Sequence, residues 1–252
     1  MFKKLMINYI DDNSNWKLLE NNFNKYYIDN KSININIPKK IHQIWLGGKI
    51  PEKYDRIRKS WIDKNPDWEY KLWCDDDIKD FNLQNIKQFN SINNLGAKSD
   101  ILRYEILYRY GGLYVDTDFE CLKSFNDLTY LSLFSGTGHV THPEVFNGLI
   151  ACRPNHELIK KLINDINIVN TNDFNYIISL TGPKYFSSKL FEYVKNHIND
   201  EVVIFPTVFF YPFPALYRYL VRNDTIDSQN IVKGYCNERS YCVHLWYTSW
   251  QK

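Results

Sequence analysis

The sequence predicts an α/β domain built on a parallel sheet. Three observations carry this. Between residues 38 and 116, short apolar runs bounded by Pro and Gly alternate with stretches of helical periodicity. The first run is continuous rather than alternating, as a strand buried on both faces is. The chain has 252 residues, 44% of them hydrophobic, enough for one large domain or two small ones with a proper core.

Residues 1–36 are rich in Asn, Asp and Lys, with isolated aromatics, and read as an N-terminal extension that is helical around 16–27. The opening MFKKLMINYIDD starts basic, but its apolar stretch is too short and too soon charged for a signal peptide. A domain over 37–252 follows. PKKIHQIWLGG places a strand at 41–46, between Pro38 and Gly47-Gly48. Pro51 suits a first helical turn, and Tyr54, Ile57 and Trp61 recur at helical spacing until Asn65-Pro66. Trp68, Tyr70, Leu72 and Cys74 then alternate as in a strand. The clearest helix spans 97–110, with Ser99 or Asp100 as cap and Gly111 as a left-handed stop. A strand at 113–116 completes strand–helix–strand–helix–strand, the pattern of right-handed parallel crossovers. Beyond it, strands are expected at 130–134, 146–152, 202–205 and 241–246, and helices at 155–166 and 183–197. No internal repeat is visible.

The formal net charge is +2, from 31 basic and 29 acidic residues. That balance gives no field for nucleic acid or for an anionic membrane. Five scattered cysteines without a C-x-x-C exclude a structural zinc and a disulfide framework. No apolar run approaches the roughly 18 residues that span a bilayer. The chain is therefore expected to be soluble and cytoplasmic. Its wealth of Asn, Ile, Lys and Tyr points to an AT-rich genome, that of a low-GC bacterium or a large DNA virus.

YRYGGLYVDTDFECL puts Asp116 and Asp118 directly after an apolar run. In an extended strand, residues two apart share a face about 6.5–7 Å apart, so Tyr114, Asp116 and Asp118 would point together. Such a pair either ends a strand in water or presents oxygens to a cation. Ligands of open parallel sheets bind beyond the carboxyl ends of the strands. Asp116 and Asp118 stand at one such end and Gly47-Gly48 at another, which suggests one crevice. Asp100 and Arg103, three apart on the 97–110 helix, share a face there. They form either a surface ion pair or a sugar-and-phosphate contact. Near the C-terminus, VHLWYTSW offers His244 as a metal-ligand type and Trp246 and Trp250 as flat surfaces. The aromatic, Pro-rich segment 204–220 is either packed loop or the wall of an acceptor pocket. In the second case Phe209, Phe210 and Phe213 would meet a lipid acceptor, a peripheral contact with a membrane.

PKKIHQIWLGG, AKSDILRYEILYRYGGLYVDTD, the Thr181-Gly182-Pro183 turn and HLWYTSW together resemble the glycosyltransferase family with the D-x-D sugar-binding region, over roughly residues 37–252. Initiating mannosyltransferases and capsular polysaccharide transferases belong to it. The SDILR…YGGLYVDTD block also resembles the glucosyltransferase domain of the large clostridial toxins. The resemblance implies a GT-A fold, with a Rossmann-like nucleotide-binding sheet merged with a smaller acceptor-side subdomain. It implies a UDP- or GDP-sugar donor, a Mn²⁺ or Mg²⁺ ion, a carbohydrate, glycolipid or glycoprotein acceptor, and retention of anomeric configuration. Carried over, Ile44 and Trp45 line the base. Ser99, Asp100 and Arg103 contact the donor sugar, and Tyr114 lies beside ribose or phosphate. Asp116, Asp118 and His244 hold the metal, and Asn147 and Trp246 complete the donor side. Asp100, Arg103 and Asp118 are the expected catalytic residues, with no protein nucleophile. An inverting enzyme would instead need a base, for which Glu120 and Asp127 are available. An inactive sugar-nucleotide-binding module and a metal-dependent sugar-nucleotide hydrolase are the competing readings.

Overall fold

The computed structural model describes residues 2–6, 14–29, 31–138, 144–168 and 173–247. Helix α1 (Ser14–Asn22) runs straight into a wider helical turn, Phe23–Asp29. Strand β1 (Lys40–Ile44) follows, then a 3₁₀ turn and α2 (Asp55–Lys64), β2 (Glu69–Trp73), α3 (Asp75–Lys79), α4 (Ile86–Ser91) and α5 (Leu95–Tyr110). Next come β3 (Gly112–Val115), β4 (Phe119–Cys121), β5 (Leu133–Gly138), β6 (Glu144–Cys152), α6 (Glu157–Asn164), α7 (Phe174–Leu180) and α8 (Pro183–Asn196). The described chain closes with β7 (Val202–Phe205), α9 (Thr207–Phe210), a 3₁₀ helix (Ala215–Val221), α10 (Ile226–Tyr235) and β8 (Cys242–His244).

Six strands form the main sheet in the order β2-β1-β3-β6-β5-β7. The β1–β2, β1–β3 and β5–β7 pairs are parallel, and β6 runs antiparallel to both its neighbours. The sheet is thus mixed, with its parallel half at the sequence-predicted strands. The β1–β3 contact depends on Gly112, at φ 93°. A Cβ there would stand 2.5 Å from the Lys40 carbonyl oxygen.

Helix α5 is buried on most sides, its polar Asp100, Arg103 and Glu105 included. Glu105 answers its burial by accepting from the Gln84 and Asn85 amides at 3.1 and 2.8 Å. The helix starts earlier than its sequence predicts. Asn94 is the cap, its side chain accepting from Ala97 N, so Ser99 and Asp100 lie inside the first turns and are free to face the sheet. Gly111 ends the helix at φ 61° and ψ −159°, positive but extended, so it is not the left-handed stop expected. Strand β5 begins at Leu133, three residues later than its sequence suggests.

Helix α1 lies on β7, where Asn22 Nδ2 donates to Val202 O at 3.0 Å. The five cysteine thiols are free. No helix among the described residues is long and apolar enough to cross a membrane. Phe209, Phe210 and Phe213 are buried in the aromatic core. The expectation that these three meet a lipid is therefore wrong: the segment's phenylalanines pack on Phe205, Phe125 and Tyr235.

Candidate active site

Strand β3 stops at Val115, and the chain turns through Asp116-Thr117-Asp118 into β4, with Phe119 N donating to Asp116 O at 3.2 Å. The two carboxylates therefore do not share the face of one extended strand, as their spacing suggests. A tight turn brings them together instead. Strand β4 pairs with β8 so that Phe119 faces His244, and Leu245 N donates to Asp118 O at 2.9 Å. This pairing carries the C-terminal imidazole onto the turn: His244 Nε2 lies 2.9 Å from Asp118 Oδ1. The other oxygen, Asp118 Oδ2, accepts from Tyr247 N at 2.8 Å.

Beside the turn stands a polar cluster reached from four elements. The Arg103 guanidinium lies 3.1 Å from Asp100 Oδ1 and 3.3 Å from Asp116 Oδ1, donates to Asn147 O at 2.6 Å, and stacks 4.5 Å over the Tyr114 ring. Tyr114 OH donates to Asp116 Oδ1 at 2.6 Å. Asp100 also accepts from Asn147 Nδ2 at 2.8 Å and from Thr181 Oγ1 at 2.9 Å. The main chain of the turn is held by Gly148 O, which accepts from Asp116 N at 2.8 Å, and by Gln43 Nε2, which donates to Asp116 O at 3.2 Å.

Burial raises the Asp100 carboxyl despite Arg103 and its two hydrogen-bond donors, and raises Asp116 despite the same guanidinium. Burial also pushes Asp118 up, but the His244 ring and the Tyr247 amide outweigh it, and Asp118 stays below the usual carboxylate range. Arg103 loses ground to burial but is raised overall by Tyr114, Asp116 and Asp100, so it remains a fixed cation. Asp116 keeps 32% of its side chain exposed, against 9% for Asp100 and 13% for Asp118. Asp116 is thus the most accessible of the three.

The carboxylates, Arg103, Tyr114, Asn147 and His244 border one cavity of about 430 Å³, with Thr181, Gln43 and Tyr247 supporting them from behind. Every site residue expected from the sequence lines it: Ile44 and Trp45 after β1, Ser99, Asp100 and Arg103 on α5, Tyr114, Asp116 and Asp118 after β3, Asn147 on β6, and His244 and Trp246 at the end of the chain. Trp250 lies outside the described residues. Gly148 also lines the cavity, unforeseen in the sequence, and Tyr211, Ala215 and Arg218 bring in the segment 204–220, for which a pocket wall was one of the two readings. A Cβ at Gly148 would stand 2.6 Å from Asp116 Oδ2, so the absence of a side chain admits that carboxylate. Gly148 carried no sequence signal of its role. The lining holds three carboxylates against two guanidiniums, and only Arg218 of the two has no ion-pair partner among the described residues. Glu120 and Asp127 do not line it: Glu120 pairs with Arg56 at 2.6 Å, and Asp127 accepts from Tyr241 OH at 2.6 Å.

Asp116, Asp118 and His244 offer ligand atoms that all lie within 4.8 Å of one another. Two hard oxygens and one imidazole nitrogen suit Mn²⁺ or Mg²⁺. His244 Nδ1 is buried without a hydrogen-bond partner, a polar atom left unspent beside two carboxylates. The donor set therefore fits a divalent cation.

Residues 51–134 match the family model described as "Glycosyltransferase sugar-binding region containing DXD motif". An uncharacterised glycosyltransferase of Acanthamoeba polyphaga mimivirus is 27% identical over 218 residues, 83% of this chain and 85% of that protein. Inositol phosphoceramide mannosyltransferase 3 of Schizosaccharomyces pombe is 31% identical over 159 residues, 60% of this chain. The chain spans 44% of that yeast relative's length. Among solved structures, the PaToxG glycosyltransferase superposes with a TM-score of 0.52 at 22% identity, covering 73% of this chain and 78% of that one. The fold is that of GT-A glycosyltransferase domains.

Proposed function

We propose that this chain, a glycosyltransferase by the DXD sugar-binding region it carries in residues 51–134, moves a hexose from a UDP- or GDP-sugar to a carbohydrate, glycolipid or glycoprotein acceptor. The reaction is metal-dependent and retains anomeric configuration. One observation carries the reading. A carboxylate pair, an imidazole, a buried Arg–Asp pair and aromatic walls converge on a single cavity beyond the carboxyl ends of β1 and β3.

Asp116, Asp118 and His244 hold Mn²⁺ or Mg²⁺, which when bound supplies Lewis-acid stabilisation of the departing diphosphate. Ile44 and Trp45 form the wall for the base, with Trp45 propped by Tyr54 at 5.0 Å. Ser99 and Asp100 accept sugar hydroxyls; each Asp100 oxygen keeps acceptor capacity beyond its present bonds. Arg103 provides a positive charge whose position is set before substrate arrives. Arg218, unpaired at the cavity wall, binds a phosphate oxygen. Tyr114 and Asn147 orient Asp116 and Asp100, and Trp246 closes the donor side.

In the transfer step the bond from the anomeric carbon to the phosphate oxygen breaks, and its electron pair leaves with the nucleoside diphosphate. The acceptor oxygen forms the new bond to that carbon, and its proton passes to the leaving phosphate. The ion-paired Glu120 and the hydrogen-bonded Asp127, both away from the cavity, support a course without a protein base. The yeast relative, named as an inositol phosphoceramide mannosyltransferase, offers one concrete instance of donor and acceptor.

Incubation with UDP-glucose, UDP-galactose, UDP-N-acetylglucosamine and GDP-mannose in Mn²⁺ tests the reading. Nucleoside diphosphate should be released from one donor class, and Asp118→Asn should abolish the release. No release from any donor, with or without added sugar or lipid acceptors, would sink it. Release to water alone, unchanged by every acceptor, would favour the hydrolase instead.

A further inference from the structure

We propose that the face formed by the 3₁₀ helix Ala215–Val221 and helix α10 docks on an anionic lipid surface beside the mouth of the cavity. Six of the large apolar side chains exposed among the described residues fall within 216–235. Leu216 and Ile226 are each 76% exposed and Tyr219 60%, with Leu220, Ile231 and Tyr235 less so. The other exposed ones, among them Ile33, Ile62 and Ile198, are scattered along the rest of the described chain, so the clustering on these two adjoining elements marks a surface with a use.

The two elements present these residues in rows. In a 3₁₀ helix, positions i and i+3 eclipse, which aligns Leu216, Tyr219 and Arg222. On α10, Ile226, Asn230 and Lys233 fall on one stripe, with Ile231 and Tyr235 on another. The elements are pinned from behind. Tyr235 packs on Phe213 at 5.3 Å and on Tyr217 at 6.0 Å, and Val221 and Val232 point into the core. Arg56 grips Asp224, in the connecting loop, through Nε at 3.0 Å and a second nitrogen at 2.6 Å. Tyr235 thus serves the fold in part, while Leu216, Tyr219 and Ile226, the most exposed of the six, are surplus to it.

Charge selects the occupant. Among the described residues, Arg222 and Lys233 make no ion pair on this face, Arg218 being given to the cavity, while Asp224 is neutralised by Arg56 and Asp227 sits in the first turn of α10, where it suits the helix dipole. Chain-wide the charges nearly balance, so this cationic excess is local. Leu, Ile and Tyr interleaved with Arg and Lys is the composition of a surface lying in a bilayer interface. Protein interfaces are instead depleted in Lys. Ala215 and Arg218 belong both to this face and to the cavity lining, so a docked surface would border the cavity. The lipid face thus sits on the 3₁₀ helix and α10, not on the buried phenylalanines of the same region.

The test uses the full chain and needs no sugar donor. Sedimentation with phosphatidylcholine vesicles, with and without about a third phosphatidylserine, is measured at low and high salt. Leu216→Ser/Ile226→Ser and Arg222→Gln/Lys233→Gln are compared with the unaltered chain, and Mn²⁺-dependent nucleotide binding checks each variant's fold and site. The unaltered chain should bind the phosphatidylserine vesicles and release them at high salt. Each basic residue near such a surface contributes about fivefold in affinity, so the charge variant should bind at least tenfold more weakly. The apolar variant should lose binding at every salt. No vesicle binding by the unaltered chain at low salt, or binding by either variant equal to that of the unaltered chain, would overturn the proposal. So would a dimer in solution that the apolar variant dissociates, because the face would then meet a second copy. Failure here leaves the donor site standing, since nucleotide binding is read separately.

Discussion

His244 Nε2 meets Asp118 Oδ1 at 2.9 Å because β8 pairs with β4, residue His244 opposite Phe119. Strand β8 thus completes a cluster whose two carboxylates come from the middle of the chain. If the imidazole is a ligand, His244→Ala should weaken Mn²⁺ binding at least about tenfold, measured by titration calorimetry, while leaving the buried core intact. Unchanged Mn²⁺ affinity would restrict His244 to orienting Asp118.

Gly148 sets the position of Asp116. The Cβ of Gly148→Ala would stand 2.6 Å from Asp116 Oδ2, so the carboxylate has to move. The substitution should cost about 1–3 kcal/mol in urea unfolding. It should also abolish Mn²⁺-dependent nucleotide binding, although residue 148 has no side chain to offer a ligand.

Arg103 offsets the buried charge of Asp100 and the half-buried charge of Asp116. Arg103→Leu leaves both carboxylates uncompensated and should destabilise the fold by about 3–5 kcal/mol. Arg103→Lys keeps the charge but loses the fork that reaches Asn147 O, and should cost less, about 1–3 kcal/mol. Denaturant midpoints in the reverse order would contradict the role given to the guanidinium.

Stability should fall in mild acid because of His42. Burial lowers its pKa to about 4, against an ordinary value of 6.5. The ring is held neutral, with Nδ1 accepting from Trp73 Nε1 at 3.2 Å and Nε2 donating to Gly111 O at 3.0 Å. Below pH 6.5 the unfolded chain takes up a proton that the folded chain refuses. The stabilisation is complete above that pH and is lost as pH falls toward 4. Between pH 7.5 and 5.0 the loss from this group is about 2 kcal/mol. An NMR titration of the His42 ring checks the cause directly: a midpoint near 6.5 would remove it.

The residues of the candidate site were legible because they sit in blocks with local meaning. Apolar runs ending in Gly-Gly or in Asp-x-Asp mark strand ends, and Asp100 and Arg103 mark one face of a helix. The geometry was less legible. The spacing of Asp116 and Asp118 suggests one extended strand, but a turn between β3 and β4 brings them together. Asn94 caps α5 in place of Ser99 or Asp100, because one polar residue before a helix looks much like another until the turn is built. Gly148 left no local trace, and Thr181 was visible only as part of a turn, with no sign of what it would touch. Their contacts with Asp116 and Asp100 join residues far apart in the chain. The buried state of Phe209, Phe210 and Phe213 was equally hidden, since an aromatic run reads the same in a core as on a surface.

Asp116, Asp118 and His244 are proposed together as a metal-dependent nucleotide site. Thermal unfolding with UDP or GDP, with and without Mn²⁺, tests it most directly, beside the same series on Asp118→Asn. A ligand at about 100 times its dissociation constant adds roughly 2.7 kcal/mol to the folded state. That shift is expected for one nucleoside diphosphate only when Mn²⁺ is present, with its loss in Asp118→Asn. Equal stabilisation in the variant, or none with any nucleotide in the unaltered chain, would contradict it.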